Sequence, residues 1–345
     1  MTLDPVRMGI AGAGLIGRRH AEAIAAVPGV VLHAIADPSD DARAWAGEAG
    51  ARWCHSLDEM LADAPPAGVI VATPNALHVE HGHACVAARI PALIEKPLAS
   101  DLAEGRALVE AGESAGVALL VGHHRRHNAL VQHARQKIVD GTLGRIAVVN
   151  GMFWVMKPDG YFDTSWRREP GGGPLLINLI HDIDLLRHLV GEVRSVRAVQ
   201  SSRLRGNPVE DTAAILMQFE NGALGAFTLS DTVVAPWSWE LTARENAAYP
   251  ATGQSCYTIG GDRASMELPS GGIWRHTGER SWMTPISVEH HPAGSEDPLF
   301  AQILQFARVI RGEEPPLAPA REGLRTLEVI DAIKRAAESG EAVEL

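Results

Sequence analysis

The chain has 345 residues, 46% of them hydrophobic, with a formal charge of −11 and a pI near 5.7. A single core stops growing near roughly 250 to 300 residues, so two domains are expected, and the negative field opposes nucleic acid and anionic lipid, leaving a small molecule as the expected partner. Three scattered cysteines, Cys54, Cys85 and Cys256, an acidic and proline-bearing start instead of a signal peptide, and no apolar run near the roughly 20 residues of a spanning helix point to the cytoplasm and away from a membrane.

In chain order, apolar runs at 6–11, 30–36, 68–72, 92–94 and 117–121 alternate with helix-period segments at 15–27, 39–49, 75–89 and 101–115. This rhythm predicts an α/β domain over 1–122 with a doubly wound parallel sheet. After Gly122 the runs 145–155, 195–204, 211–230 and 264–269 read as strands, with an Asn221-Gly222 turn and one strong helix over 174–190. This predicts an α+β domain over 123–300 built on a large, mostly antiparallel open-faced sheet. From 301 to 345 helix period returns, interrupted by "GEEPPLAP", and the segment is expected to pack back on the first domain.

The first strand leads into Gly12, Gly14 and Gly17 at G-x-G-x-x-G spacing, at the mouth of a helix that opens on Leu15 and Ile16. In that context the first glycine makes the turn, the second lets backbone reach a pyrophosphate, and the third lets helix and strand pack. The pyrophosphate rests on helix N–H groups. Asp37 ends the second strand, twenty residues past Gly17, where a carboxylate accepts ribose hydroxyls. With Asp40 and Asp41 close by, a 2′-phosphate is disfavoured, so NAD is expected over NADP.

Strand ends at this edge of the sheet bring Thr73, Pro74 and Asn75 to the ligand crevice, with His78 opening the next helix. His78, His81 and Cys85 share a helix face, but nothing nearby completes a metal shell, and no metal is expected. The next apolar strand delivers Glu95, Lys96 and Pro97 to the same edge. Glu95 is placed to hold the ammonium, and Pro97 to fix the turn through a cis bond. Further on, Asn178, His181 and Asp184 recur every three residues along an otherwise apolar helix behind Gly171, Gly172 and Gly173, and form one polar strip. "GHHRRHN" at 122–128 offers His124, Arg125 and Arg126 to a carboxylate or to hydroxyls of a substrate.

Together "GIAGAGLIG", Ala36-Asp37, "TPNALH", "EKP", "GHHRRHN", "WRREPGGG" and "IHDID", with the closing helices, resemble the Gfo/Idh/MocA oxidoreductases, the glucose–fructose oxidoreductase and inositol dehydrogenase group, over essentially the whole chain. The resemblance implies a Rossmann domain, a sheet domain that mediates homodimers or homotetramers, and a nicotinamide lying between the domains. It also implies that Lys96 hydrogen-bonds the reacting oxygen, that His181 is the acid/base, and that Trp166 and Arg167 touch the cofactor. Where many members carry an aspartate four residues before that histidine, this chain has Ile177, and the adjacent Asn178 is a neutral stand-in.

The expected activity is hydride transfer between NAD and a secondary alcohol or ketone of a polyhydroxylated small molecule: a sugar, an inositol or a related ring acid. A neutral imidazole suits proton removal near pH 7, and an ammonium stabilises a developing alkoxide. The competing expectations are an NAD-retaining lyase, epimerase or glycosidase-type enzyme, and a non-enzymatic dinucleotide sensor, for which neither Lys96 nor His181 has a chemical use.

Overall fold

The computed structural model describes residues 4–246, 248–290 and 297–345. The chain forms two compact units. One runs to His127 and takes up Asp297–Leu327 again; the other starts at Asn128 and includes Glu328–Leu345. The closing segment, expected to stay whole on the first domain, is therefore shared: the helix Pro298–Ile310 belongs to the first unit, and the helix Ala320–Ser339 changes membership after Leu327.

In the first unit β1 (Val6–Ala11), β2 (Val30–Ala36), β3 (Arg52–Cys54), β4 (Gly68–Val71), β5 (Ala92–Ile94) and β6 (Leu119–Val121) form one sheet in the order β3-β2-β1-β4-β5-β6, parallel throughout. The order reverses between β1 and β4, which is where an open sheet of this kind leaves a crevice. Its central strands β1, β4 and β5 are buried almost end to end, as a sheet covered on both faces requires. Ile303 and Phe306 of the helix Pro298–Ile310 share a core with Met8, Ile10 and Ile70. That helix starts on Asp297, whose carboxylate accepts from the Leu299 N–H, with proline in the first turn. The short β3 and the helix Leu57–Ala62 were not expected; both are too short to show a period.

The second unit is built on nine strands: β7 (Ile146–Trp154), β8 (Val193–Ser201), β9 (Thr212–Phe219), β10 (Leu224–Ser230), β11 (Tyr257–Gly261), β12 (Ser265–Leu268), β13 (Gly272–His276), β14 (Ile286–His290) and β15 (Val343–Glu344). Their order is β14-β13-β12-β11-β7-β10-β9-β8-β15, and among the described residues only β7 and β10 pair in parallel. Alternation along β9 and β10 sends Ile215, Met217 and Phe227 to one face, where they pack with Leu179, Ile183 and Leu186 and with Ile330 and Ile333 of the last helix. The other face is open: Leu224 stands beside Val148, and Ala226 beside Leu216. Val148, Val199, Leu216 and Leu224 are exposed there.

The expected single helix over 174–190 is broken. Pro174–Ile177 and Leu179–Leu189 are separate helices with Asn178 between them, and the His181 N–H bonds the Asn178 carbonyl three residues back. Periodicity alone could not show this, because the break keeps the same apolar residues inward.

Candidate active site

Gly12 adopts φ +98°, a left-handed value suited to glycine, and a side chain there would strike the Ala72 carbonyl. A side chain on Gly17 would strike the Gly12 carbonyl, so the helix Leu15–Ala26 can approach the turn only through a glycine. Above Gly14 a Cβ would meet nothing within 4 Å, and that helix start has no side-chain cap. Leu15 is 86% exposed and Ile16 half-buried. An uncapped helix N-terminus beneath bare backbone is the cradle an anionic pyrophosphate fills, so the residues present fit the dinucleotide.

At the end of β2, Asp37 accepts the Ala13 N–H at 2.9 Å on one oxygen and the Ser39 hydroxyl and N–H at 2.7 and 3.0 Å on the other. Burial pushes its pKa up, but the Ser39 and Ala13 hydrogen bonds and the Arg18 charge outweigh it and hold the carboxyl below its ordinary value. Arg18 pairs with Asp41 at 2.6 Å and lies over the Trp45 ring.

At the neighbouring strand ends, Thr73 is half-buried with its hydroxyl 3.1 Å from His81 Nδ1, and Pro74 and Asn75 are exposed. His78, expected against the cofactor, is instead fully buried, its ring nitrogens facing the Pro97 and Thr73 carbonyls at 2.7 and 2.9 Å. The Lys96–Pro97 bond is cis. Glu95 turns its carboxylate to His20 Nε2 at 2.7 Å and to the Lys96 N–H at 3.2 Å. Burial raises its pKa, but His20, Lys96 and His124 overcome that and hold it at about 2. Nothing in the sequence reading named His20; the signal is a polar residue one turn past Gly17, on the face the helix gives to the sheet.

His124 is half-buried in the turn after β6, and it acts on Glu95. Arg125 and Arg126, expected at the substrate, are both buried, and Arg126 is committed to Glu322 at 3.1 Å and to the Leu317 carbonyl.

In the second unit the glycine run is a packing requirement. A side chain on Gly172 would meet the Trp166 carbonyl, and one on Gly173 the Glu210 carboxylate, which accepts the Leu175 N–H at 2.9 Å. Trp166 is half exposed, and the Arg167 guanidinium lies 4.0 Å from the centroid of the Tyr161 ring. Asn178 accepts from Lys157 Nζ at 2.9 Å, and Lys157 also pairs with Asp231 at 3.3 Å. Lys157 was not foreseen: it lies in an irregular segment twenty-one residues upstream. Burial lowers its pKa, against the Asp231 charge. His181 and Asp184 are buried on the following helix, and the intervening Asp182 accepts from the Tyr257 hydroxyl. Among the described residues no helix is long and apolar enough to cross a membrane.

A model described as an oxidoreductase family with an NAD-binding Rossmann fold matches residues 6–123, and its partner, the family's C-terminal alpha/beta domain, matches 135–345. The chain is 28% identical to 1,5-anhydro-D-fructose reductase of Ensifer adhaerens over 98% of each protein. It is 28% identical to myo-inositol 2-dehydrogenase of Thermotoga maritima over 66% of this chain and 70% of that one. It superposes with a TM-score of 0.79 on the WlbA dehydrogenase of Bordetella pertussis, solved with NADH and UDP-GlcNAcA, at 28% identity and 99% coverage of both chains. With both domains matched along nearly its whole length, this chain belongs to the Gfo/Idh/MocA family and is an NAD-dependent oxidoreductase.

Proposed function

We propose that this enzyme moves hydride between NAD and a secondary alcohol or ketone of a polyhydroxylated small molecule (a sugar, an inositol or a related ring acid), with Lys96 and His181 acting on the same substrate oxygen. The observation that carries it is that the glycine cradle and the Lys96 turn leave the same edge of one parallel sheet. The similar proteins named above, an anhydrofructose reductase and an inositol dehydrogenase, support the substrate class.

Bound NAD supplies the hydride acceptor or donor. Gly12, Gly14, Leu15, Ile16 and Gly17 hold its pyrophosphate, Asp37 its ribose hydroxyls, and Thr73, Pro74, Asn75, Trp166 and Arg167 flank it. Lys96 donates a hydrogen bond to the reacting oxygen, which stabilises alkoxide in oxidation and polarises a carbonyl in reduction. His181 takes or returns the oxygen's proton. Asn178, steadied by Lys157, and Asp184 set the orientation of the helix that carries His181. Of "GHHRRHN", His124, Arg125 and Arg126 are the groups assigned to the substrate, with His124 the most accessible of the three.

The enzyme works in the cytoplasm, where the buried thiols of Cys54, Cys85 and Cys256 stay reduced. It assembles as a homodimer or homotetramer through the open sheet face carrying Val148, Val199, Leu216 and Leu224.

Purified protein with NAD and a panel of polyols, inositols and sugar acids tests the reading. Growth of the reduced-cofactor absorbance with at least one of them is expected. Turnover of a substrate by tightly held NAD with no net change in its oxidation state would replace it with a lyase or epimerase activity.

A further inference from the structure

Two fully buried histidines, His20 and His78, bracket the turn that carries Lys96. Neither can touch a substrate. His20 sits on the helix Leu15–Ala26, one turn beyond Gly17, with Nε2 2.7 Å from Glu95 Oε1. An ionised Glu95 can only accept, so Nε2 carries the ring proton. The His20 Nδ1 is buried without a hydrogen-bond partner among the described residues, a position a bare lone pair occupies at less cost than an N–H. The other Glu95 oxygen accepts the backbone N–H of Lys96, and Gly122 walls the carboxylate in, since a Cβ there would lie 2.8 Å from Oε2. On the far side of the lysine, the Pro97 carbonyl faces His78 Nδ1, and His78 Nε2 faces the Thr73 carbonyl at the end of β4.

We propose that His20 and His78 are positioning residues for Lys96, the first gripping its backbone through Glu95 and the second filling the space between the Pro97 and Thr73 carbonyls, one of which its ring N–H bonds. Hydrogen bonds run without a gap from the helix above the glycine cradle, through His20 and Glu95, to Lys96, and the His78 ring packs against Pro97 and the neighbouring strand end beyond it. The cradle and the lysine then move as one body, which matters because a misplacement of about 1 Å costs on the order of 10²-fold in rate. This inference rests on the reading that Lys96 meets the reacting oxygen.

The chain has four lysines, Lys96, Lys137, Lys157 and Lys334, so protein labelled with ¹³Cε and ¹⁵Nζ lysine gives four resolvable signals, with Lys96 assigned by its loss in Lys96→Gln. In His20→Phe, which keeps an aromatic ring but has no donor, and in His78→Ala, the Lys96 signal is expected to move while the other three stay. On any active polyol kcat falls tenfold or more with the Kd for NAD unchanged within threefold, and His20→Gln, whose amide can still donate to Glu95, recovers most of kcat. A Lys96 signal unmoved in both variants, or four signals shifting together, overturns the proposal. If the variants do not fold, the wild-type ring decides: long-range ¹⁵N spectra must show His20 protonated at Nε2 and bare at Nδ1, and the reverse tautomer breaks the link. Should the Lys96 signal respond as expected while Lys96→Gln keeps full turnover, the positioning stands and the catalytic assignment of Lys96 falls.

Discussion

Replacing Asp37 with asparagine should convert a discriminating cofactor site into a permissive one. The carboxylate is locked by the Ala13 N–H on one oxygen and by Ser39 on the other, and those bonds keep it ionised well below neutral pH. A 2′-phosphate of charge about −2 placed about 5 Å away is repelled by about 1.7 kcal/mol even at the permittivity of water, and by several times that nearer an effective value of about 20. Hydroxyl bonds to a charged acceptor contribute roughly 1 kcal/mol more each than bonds to a neutral one, so asparagine also weakens NADH by roughly 1–3 kcal/mol. Its amide can satisfy only one of the Ala13 and Ser39 N–H groups with oxygen, which loosens the glycine loop further. Fluorescence titration of NADH and NADPH into wild type and Asp37→Asn reads both effects: Kd for NADH rises at least fivefold, and the ratio of the NADPH to the NADH Kd falls at least tenfold. An unchanged ratio would refute the assignment of Asp37 to the ribose.

Gly17→Ala drives a methyl into the Gly12 carbonyl and forces the helix off the cradle, so NADH titration should show affinity down more than tenfold. Tyr257→Phe removes a donor from the buried Asp182 carboxylate, and thermal unfolding should show a loss of roughly 1.5–3 kcal/mol, the cost of a hydrogen bond to a charged group. Glu95 has a folded pKa depressed from 4.5 to about 2, so the stability it contributes is complete above 4.5 and lost as pH falls toward 2. That contribution is about 3 kcal/mol, and Glu95→Gln should flatten the thermal midpoint against pH across this window relative to wild type.

The first unit was legible because its signals are local: strand runs continuous enough to read as doubly buried, and glycines whose neighbours leave no other residue possible. The lysine turn was legible as a place but not as a mechanism, since His20 lies seventy-five residues from Glu95 and only the fold brings them together. The same distance problem hid the Lys157–Asn178 contact and the Tyr257–Asp182 bond. A cluster of cations such as Arg125 and Arg126 reads alike in sequence whether it faces a ligand or, as Arg126 does, a half-buried glutamate partner. The open face of the nine-stranded sheet was readable in outline from alternation, whereas β11, β13 and β14 are five residues each and too short to stand out.

The central claim is that Lys96 and His181 serve one oxygen, and a double-mutant cycle measures it. With the active polyol in hand, Lys96→Ala and His181→Ala are each expected to lower kcat/KM by about 10²–10⁴-fold, the range of a positioned acid, base or oxyanion donor. The double variant should lose far less than the product of the two, because groups that act as a unit are not additive. Full activity in either single variant, or losses that multiply cleanly, would contradict the account.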